Sequence, residues 1–429
     1  MDVFLNGQQI VTWLVLLFVL YALISEKIRY DAAAFSGLLM LGLLQIAPPS
    51  TLFSGFSSPA LFTVAIVLVM SAGIIESGIL TGFGKSIARR INEPKKQILA
   101  LLLSTTVVSG FVNNVGTVGI MLPTSQRMAQ RAGINKANIG MALVYITILS
   151  GSVTLIGTAS NLIVSAFRLQ ALGESFKMFD FAAHGLVMVG VAFIVLLICK
   201  LCGFNFAQPT VAAENDQNLK NKALPLEPAH ERSRRKTTIV LLTLLPVIIL
   251  TSTGLIHPAI GFGFVVIIWL VTGVLSSTTA YKNINIPIIL FLGSMLSIAG
   301  ILTDTGALQA VAGSILPLII SFPPYLLVLS VLFVTALISN FVDNSVSAVL
   351  MSPLMIQLYQ TGDVAVSANA LLMAVAAGAS LGVVIPTHQA TLIVMNSTGF
   401  SRKSFIKTGL VIALAAGICA ALMINIVWN

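Results

Sequence analysis

Two stretches decide the fold: FVNNVGTVGIMLP at 111–123 and FVDNSVSAVLMSP at 341–353. Each interrupts an apolar run with adjacent polar residues, Asn113-Asn114 in one and Asp343-Asn344 in the other, and each sets the second of that pair, Asn114 or Asn344, nine residues before a proline, Pro123 or Pro353. Polar side chains at membrane depth cost free energy unless something satisfies them. Keeping them in both copies argues against a duplication that serves helix packing alone. The match extends outward. Forty-seven residues beyond each Asn lies a second related pair, IGTASNLIV (156–164) and PTHQATLIV (386–394), in which Asn161 aligns with Thr391. Upstream, SAGIIESG (71–78) is echoed by IAGILTDTG (298–306).

The 429 residues are 57% hydrophobic and 9% charged, with a mean hydropathy of +1.00. Soluble domains carry roughly a quarter charged residues, so the solvent along most of this chain is the lipid bilayer. A soluble enzyme, a disordered regulator and a secreted disulfide scaffold are excluded. The net charge of +9 would suggest nucleic acid in a soluble protein. Here the charges sit in short stretches between apolar runs, so no nucleic-acid partner is expected. Cys199 and Cys202 form a CxxC at the end of an apolar run without a second ligand pair, which reads as packing. The start, MDVFLNGQQIVTW, lacks a basic n-region and a small-residue cleavage site, and the first run reads as a retained span.

A helix needs about 20 residues to cross a bilayer. Spans are expected near 10–25, 31–47, 59–83, 138–156, 181–203, 237–254, 258–278, 284–303, 366–386 and 404–428. The runs 97–127 and 322–358 are too short for two crossings and carry the polar knots, so each is expected to be a re-entrant hairpin. With both termini outside, all of the 23 Lys and Arg except Arg168 and Lys177 fall on the cytoplasmic side. Turning either hairpin into a full crossing destroys that bias. The expected fold is an all-α polytopic membrane protein of two inverted-topology repeats, each of five transmembrane helices plus one re-entrant hairpin and a broken helix. The first repeat is 1–204, with its hairpin 97–127 facing the cytoplasm. A cytoplasmic linker occupies 205–236. The second repeat is 237–429, with its hairpin 322–358 facing outside. An odd number of crossings per repeat turns the second copy upside down. Inverted repeats with broken helices meeting at the midplane are the architecture of secondary transporters.

The tips bring Ser109, Asn113 and Asn114 of one half toward Ser339, Asp343, Asn344 and Ser345 of the other. The breaks add Gly157, Thr158 and Asn161, then Thr387, His388 and Gln389. Hydroxyl, amide and freed backbone oxygens suit a hard cation. Half-helix N-termini suit an anion. Asp343 reads equally as a sodium ligand, a proton carrier or the cap of the following half-helix. His388 reads as an anion donor, a titrating group or a packed side chain. Glu76 and Asp304, near span ends, read as structural or solvated. The stretch GILTGFGKS (78–86) has its glycines one residue too far apart for a P-loop and follows an apolar helix rather than a strand, so no ATPase subunit or nucleotide is expected. HExxH does not occur. The basic stretch 84–96 reads as a solvated loop or a lipid-surface segment.

NNVGTVGIMLP and DNSVSAVLMSP resemble the paired Ser-Asn-Thr hairpin tips of the divalent anion:sodium symporters, within the ion transporter superfamily that also holds arsenite and NhaD-type sodium/proton carriers. IGTASNLIV is similar to that family's Gly-Thr-Pro-Pro-Asn break. The tips here read Asn113-Asn114-Val115 and Asp343-Asn344-Ser345, the second closer to the arsenite and NhaD-type branch, and the second break reads His388-Gln389-Ala390-Thr391. The resemblance implies one sodium site at Ser109, Asn113, Asn114 and Gly157, and another at Ser339, Val342 (through its carbonyl), Asn344 and Thr387. It implies a substrate between them on Asn114, Asn344, Ser345, Thr158 and His388. It also implies a homodimer with a fixed scaffold and a moving transport domain. The expected function is sodium-coupled symport of a small anion, sulfate-like or a di- or tricarboxylate, by an elevator motion in the cell (inner) membrane. No organic cofactor is expected. The alternative is a sodium/proton antiporter or arsenite-type efflux carrier using Asp343, with the proton as coupling ion. A membrane-embedded enzyme is the remote alternative.

Overall fold

Side chains whose spacing gives no polar stripe, as in the first span, build helices that bury one face in protein and leave another apolar face outward. The computed structural model describes residues 7–25, 27–79, 93–201, 234–310, 313, 322–360 and 364–429. Most of the linker 205–236, most of the stretch 78–86, the greater part of the basic stretch 84–96 and Cys202 lie outside the described residues. The elements of the first half are α1 (Gly7–Ser25), α2 (Tyr30–Leu43), α3 (Pro59–Glu76), α4 (Pro94–Ser109), α5 (Asn114–Ala132), α6 (Lys136–Gly151), α7 (Ala159–Leu172) and α8 (Ala182–Leu201). Those of the second are α9 (Arg234–Ser252), α10 (Pro258–Val271), α11 (Ser277–Asn283), α12 (Ile286–Asp304), α13 (Pro324–Phe341), α14 (Asn344–Gln360), α15 (Ala368–Ser380), α16 (Gln389–Thr398) and α17 (Arg402–Trp428). No strand occurs among the described residues. Six described helices are long and apolar enough to cross a membrane. The chain is an all-helical, multi-pass integral membrane protein.

The halves repeat element by element: α1 with α9, α2 with α10, α3 with α12, and α4 through α8 with α13 through α17. Both expected hairpins form, as α4–α5 and α13–α14, and both broken helices form, as α6–α7 and α15–α16. Two spans end earlier than their hydropathy indicates. α6 stops at Gly151 rather than 156, and α15 at Ser380 rather than 386. The apolar residues beyond, Val153, Leu155 and Ile156 in one and Val383, Val384 and Ile385 in the other, belong to unwound chain. α2 also stops short, where Gln45 takes a positive φ of 55°, and α10 stops before Gly273, at 71°.

Contacts sort the helices into two bundles. In the first, α2 packs on α12 and, as its mirror image, α10 packs on α3. This bundle is tied at its ends by side chains. Glu76 accepts from the Ser276 backbone N–H at 3.3 Å and lies 4.0 Å from the Lys236 ammonium, while Gln9 and Trp13 donate to the carbonyls of Thr305 and Ala307, each at 3.1 Å. Glu76 is therefore structural, as its position near a span end suggests. In the second bundle the hairpins embrace the broken helices, and the second arm of each hairpin packs on the far half of the other repeat's broken helix: α14 on α7, α5 on α16. Each repeat thus completes the other's site.

Candidate functional site

At each hairpin tip a serine stands in the last turn of the first arm and an asparagine five residues on begins the second. Ser109 Oγ lies 2.7 Å from the Thr147 carbonyl and 3.3 Å from Asn114 Oδ1. In the second repeat, Ser339 Oγ lies 2.6 Å from the Ala379 carbonyl and 2.9 Å from Asn344 Oδ1. All four side chains are buried. A serine hydroxyl has one proton. Donated to the nearer carbonyl, it leaves Ser Oγ and Asn Oδ1 facing each other as acceptors.

Glycines keep both places open. A Cβ on Gly151 would stand 2.8 Å from Asn114 Oδ1, and one on Gly382 would meet Ser339 Oγ at 2.6 Å, the Ser339 carbonyl at 2.8 Å and Asn344 Oδ1 at 3.0 Å. Gly157 lies against the carbonyls of Ser109, Gly110 and Gly151. The product is a pair of buried, uncharged cages with more oxygen acceptors than protons. A sodium ion fits that donor set, since hard cations take oxygen ligands and freed carbonyls at broken helices coordinate them. Ser109, Asn114 and Gly157 would hold it in one repeat, Ser339 and Asn344 in the other.

The unwound backbone of the breaks is satisfied by side chains, as buried polar groups require. Asn161 donates to the Ser152 carbonyl at 3.2 Å and the Thr154 carbonyl at 2.9 Å, and the Thr154 hydroxyl donates to the Gly110 carbonyl. The second break is tied from the opposite side. Asn340, on the hairpin arm, accepts from the N–H groups of Val384 at 2.8 Å and Ile385 at 3.0 Å and donates to the Ala336 carbonyl at 2.7 Å. Sequence comparison between the repeats misses Asn340, because its counterpart is Gly110.

The remaining expected residues serve local structure as well. Asn113 caps α5, accepting from the Gly116 N–H at 2.7 Å. Asp343 caps α14, accepting from the Ser345 N–H at 2.8 Å, and its side chain is exposed. Val342 leaves α13 in an extended conformation at φ −126°, ψ 169°. Thr158 begins α7 with its hydroxyl 3.2 Å from Ser160 Oγ. The Thr387 hydroxyl makes only long approaches to backbone oxygens, 3.4 Å to Asn340 and 3.5 Å to Ile385. His388 caps α16, its Nδ1 accepting from the Ala390 N–H at 3.2 Å. With Nδ1 accepting that bond, Nε2 carries the proton of the neutral ring and is left as a donor. Asp343 lies within electrostatic reach of His388. His388→Asn keeps a capping side chain and loses that donor, whereas His388→Ala loses both. The asparagine variant is expected to leave thermal stability unchanged, and the alanine variant to lower it by about 1 kcal/mol. Thermal unfolding in detergent separates the two.

Among the described residues no group of three or more His, Cys, Asp and Glu is placed to hold a metal ion. The site is built from neutral oxygen and amide groups.

Comparison with known proteins agrees with this fold. An uncharacterized transporter of Synechocystis sp. is 30% identical over 208 residues, 47% of this chain and 34% of its own length. The uncharacterized transporter YfbS of Escherichia coli is 24% identical over 199 residues, 46% of this chain and 32% of its own. These matches span about a third of the length of each relative. The crystal structure of the Alcanivorax borkumensis YdaH transporter, described as having an unusual topology, shares the fold at a TM-score of 0.59 over 97% of this chain and 98% of that one, with 15% identity. The pattern of the CitMHS family, described as citrate transporter, matches residues 20–378 and, in a second stretch, 249–427. The chain belongs to that family of membrane transporters.

Proposed function

We propose that the protein is a secondary active transporter that couples entry of a small anion to sodium, as the divalent anion:sodium symporters do. The observation that carries this reading is the surplus of acceptors in both cages: Ser Oγ, Asn Oδ1 and a backbone carbonyl share one proton in each. A bound sodium ion removes the repulsion between those oxygens and adds the positive charge that the site lacks. The anion then lies between the cages, met by Thr158, Ser345, the amides of Asn114 and Asn344, and His388 Nε2. Since the family takes its description from citrate, a tricarboxylate is the first substrate to try, with succinate and sulfate next.

The division into two bundles supports an elevator reading of the mechanism. The bundle of α1–α3 and α9–α12 is the scaffold. The hairpins, broken helices, α8 and α17 move past it as a body, in an elevator motion. In this reading the protein is a homodimer in the cell (inner) membrane. Both termini lie outside, the segment 205–236 is a cytoplasmic linker, and the repeats are 1–204 and 237–429.

Proteoliposomes given labelled citrate, succinate or sulfate should accumulate one of them with an inward sodium gradient and fail to do so with potassium. Accumulation that is equal in the two salts overturns sodium coupling. A second reading is favoured by one residue: Asp343 puts an exposed carboxylate where the other tip has Asn113. A sodium/proton antiporter or arsenite-type carrier would use it. A pH change on adding sodium in the absence of any anion selects that reading.

A further inference from the structure

The two repeats differ in how the chain after α2 and after α10 packs on the scaffold. Both helices have 14 residues and run into the same turn, with Gln45 and Gly273 at matching positions and both at positive φ. In the first repeat the chain beyond the turn settles onto its neighbours, because two glycines leave room for it. A Cβ on Gly42 would stand 2.6 Å from a Leu52 methyl, and one on Gly293 would stand 2.6 Å from the Phe56 ring. The Gly55 N–H then donates to Ser297 Oγ at 2.9 Å. In the second repeat Leu270 takes the place of Gly42 and Ile66 that of Gly293, while Ala280 takes the place of Leu52 and Ile284 that of Phe56. The two larger side chains hold α11 off α10 and α3, and Ala280 is too short to fill the gap. What remains is an open cavity of about 210 Å³, lined by these four residues and Tyr281 among others.

Only scaffold elements line this cavity, and Val271 and Tyr281 beside it are 83% and 75% exposed. Its open side therefore faces the bilayer. An apolar wall without neighbouring atoms forfeits its dispersion contacts, and a lipid chain restores them. The scaffold is cationic at this end. Lys236 donates to the Val274 carbonyl at 3.1 Å, which brings the start of α9 beside the turn between α10 and α11. Arg234, Arg235 and Lys282 are exposed. Glu76, the acid beside them, already accepts from the Ser276 N–H and lies 4.0 Å from Lys236. In the first repeat, where the cavity is closed, Ser54 stands in the place of Lys282. Tyr281 adds an amphipathic ring of the kind that sits at headgroup level.

We propose that the groove between α3, α10 and α11 holds one acyl chain of an anionic phospholipid, whose headgroup lies at the end of the scaffold that carries Lys282, Arg234 and Arg235. Basic pockets between membrane helices bind such headgroups. A second copy of the chain suits the groove less well, since a twofold contact sets the patch against itself and brings its own cations together. The proposal depends on the chain lying in a bilayer and not on the transport reading.

The test is thermal unfolding of the full chain, purified in detergent and stripped of lipid, titrated with phosphatidylglycerol, with phosphatidylcholine of the same acyl chains, and with glycerol 3-phosphate. Phosphatidylglycerol should raise the melting temperature by several degrees, phosphatidylcholine by clearly less, and glycerol 3-phosphate not at all. Ala280→Leu and Ile284→Phe fill the groove with the side chains of the first repeat. Each should melt no lower than the wild type without lipid and lose the response to phosphatidylglycerol; two variants keep the test open should one fail to fold. Lys282→Gln should need about fivefold more phosphatidylglycerol for half the shift. Equal responses to the two phospholipids overturn the anionic headgroup, and a response to glycerol 3-phosphate overturns the acyl chain. A full phosphatidylglycerol response in the filled variants overturns the groove. Filled variants that keep that response and instead lose a dimer, read by light scattering, assign the groove to a second copy and overturn the lipid.

Discussion

Asn344→Ala is expected to abolish uptake while expression stays near normal, and Asn114→Ala to do the same. Each side chain supplies the oxygen that faces the serine hydroxyl in its cage, at 2.9 Å and 3.3 Å respectively. Truncation would remove a proposed ligand for the ion without placing a charge or a larger group in the core. Gly382→Ala approaches the same cage by filling it. The added methyl would stand 2.6 Å from Ser339 Oγ and 2.8 Å from the Ser339 carbonyl, and overpacking of that kind costs about 1–3 kcal/mol. Loss of sodium-driven uptake in all three variants, with normal amounts of folded protein for the asparagine variants, is the expected result. Full transport by both asparagine variants contradicts the site. Ser339→Ala removes the other side-chain oxygen that would hold the ion in that cage and should weaken sodium affinity, read from the sodium dependence of uptake.

Asn340→Ala is expected to cause the largest loss of stability. Its Oδ1 accepts two backbone N–H groups of the second break, Val384 and Ile385, and its Nδ2 donates to Ala336. Alanine leaves both N–H groups without that partner. A buried unsatisfied donor costs about 1–3 kcal/mol, so the variant should lose roughly 2–6 kcal/mol. Asn161→Ala should act in the same direction on the first break, where Nδ2 holds two carbonyls. Thermal unfolding of purified protein in detergent measures both. A melting temperature within a degree of the wild type for Asn340→Ala would show that the break does not depend on this side chain.

The hairpins were legible because Asn113-Asn114 and Asp343-Asn344 interrupt runs that are otherwise apolar, and lipid tolerates such residues only where protein satisfies them. The repeat was legible because the same interruption recurs 230 residues on, from Asn114 to Asn344. The inner limits of the broken helices were not legible. Hydropathy continues through Val153, Leu155 and Ile156, and again through Val383, Val384 and Ile385, although the backbone there is unwound. What permits the unwinding is a side-chain amide, from Asn161 in the same break in one repeat and from Asn340 on the hairpin arm in the other, and a hydropathy profile carries no record of either. Asn161 stands in the matched segment 156–164, whereas aligning the halves does not reveal Asn340, whose counterpart is Gly110. Nor do the cage glycines announce themselves, because Gly151 and Gly382 matter for what is missing beside Asn114 and Asn344. Asp343 was read equally as ligand, proton carrier and cap, and the structure shows the capping bond to Ser345.

The central claim is that the two oxygen cages bind sodium, and titration of purified protein with sodium and then potassium, followed by thermal unfolding, tests it most directly. An ion that binds only the folded state stabilises it by about 2.7 kcal/mol at roughly 100 times its Kd. The account predicts a melting temperature that rises with sodium, stays level with potassium, and no longer responds when Asn114 and Asn344 are both replaced by Ala. Equal responses to the two salts, or a sodium response that survives the double replacement, would contradict it.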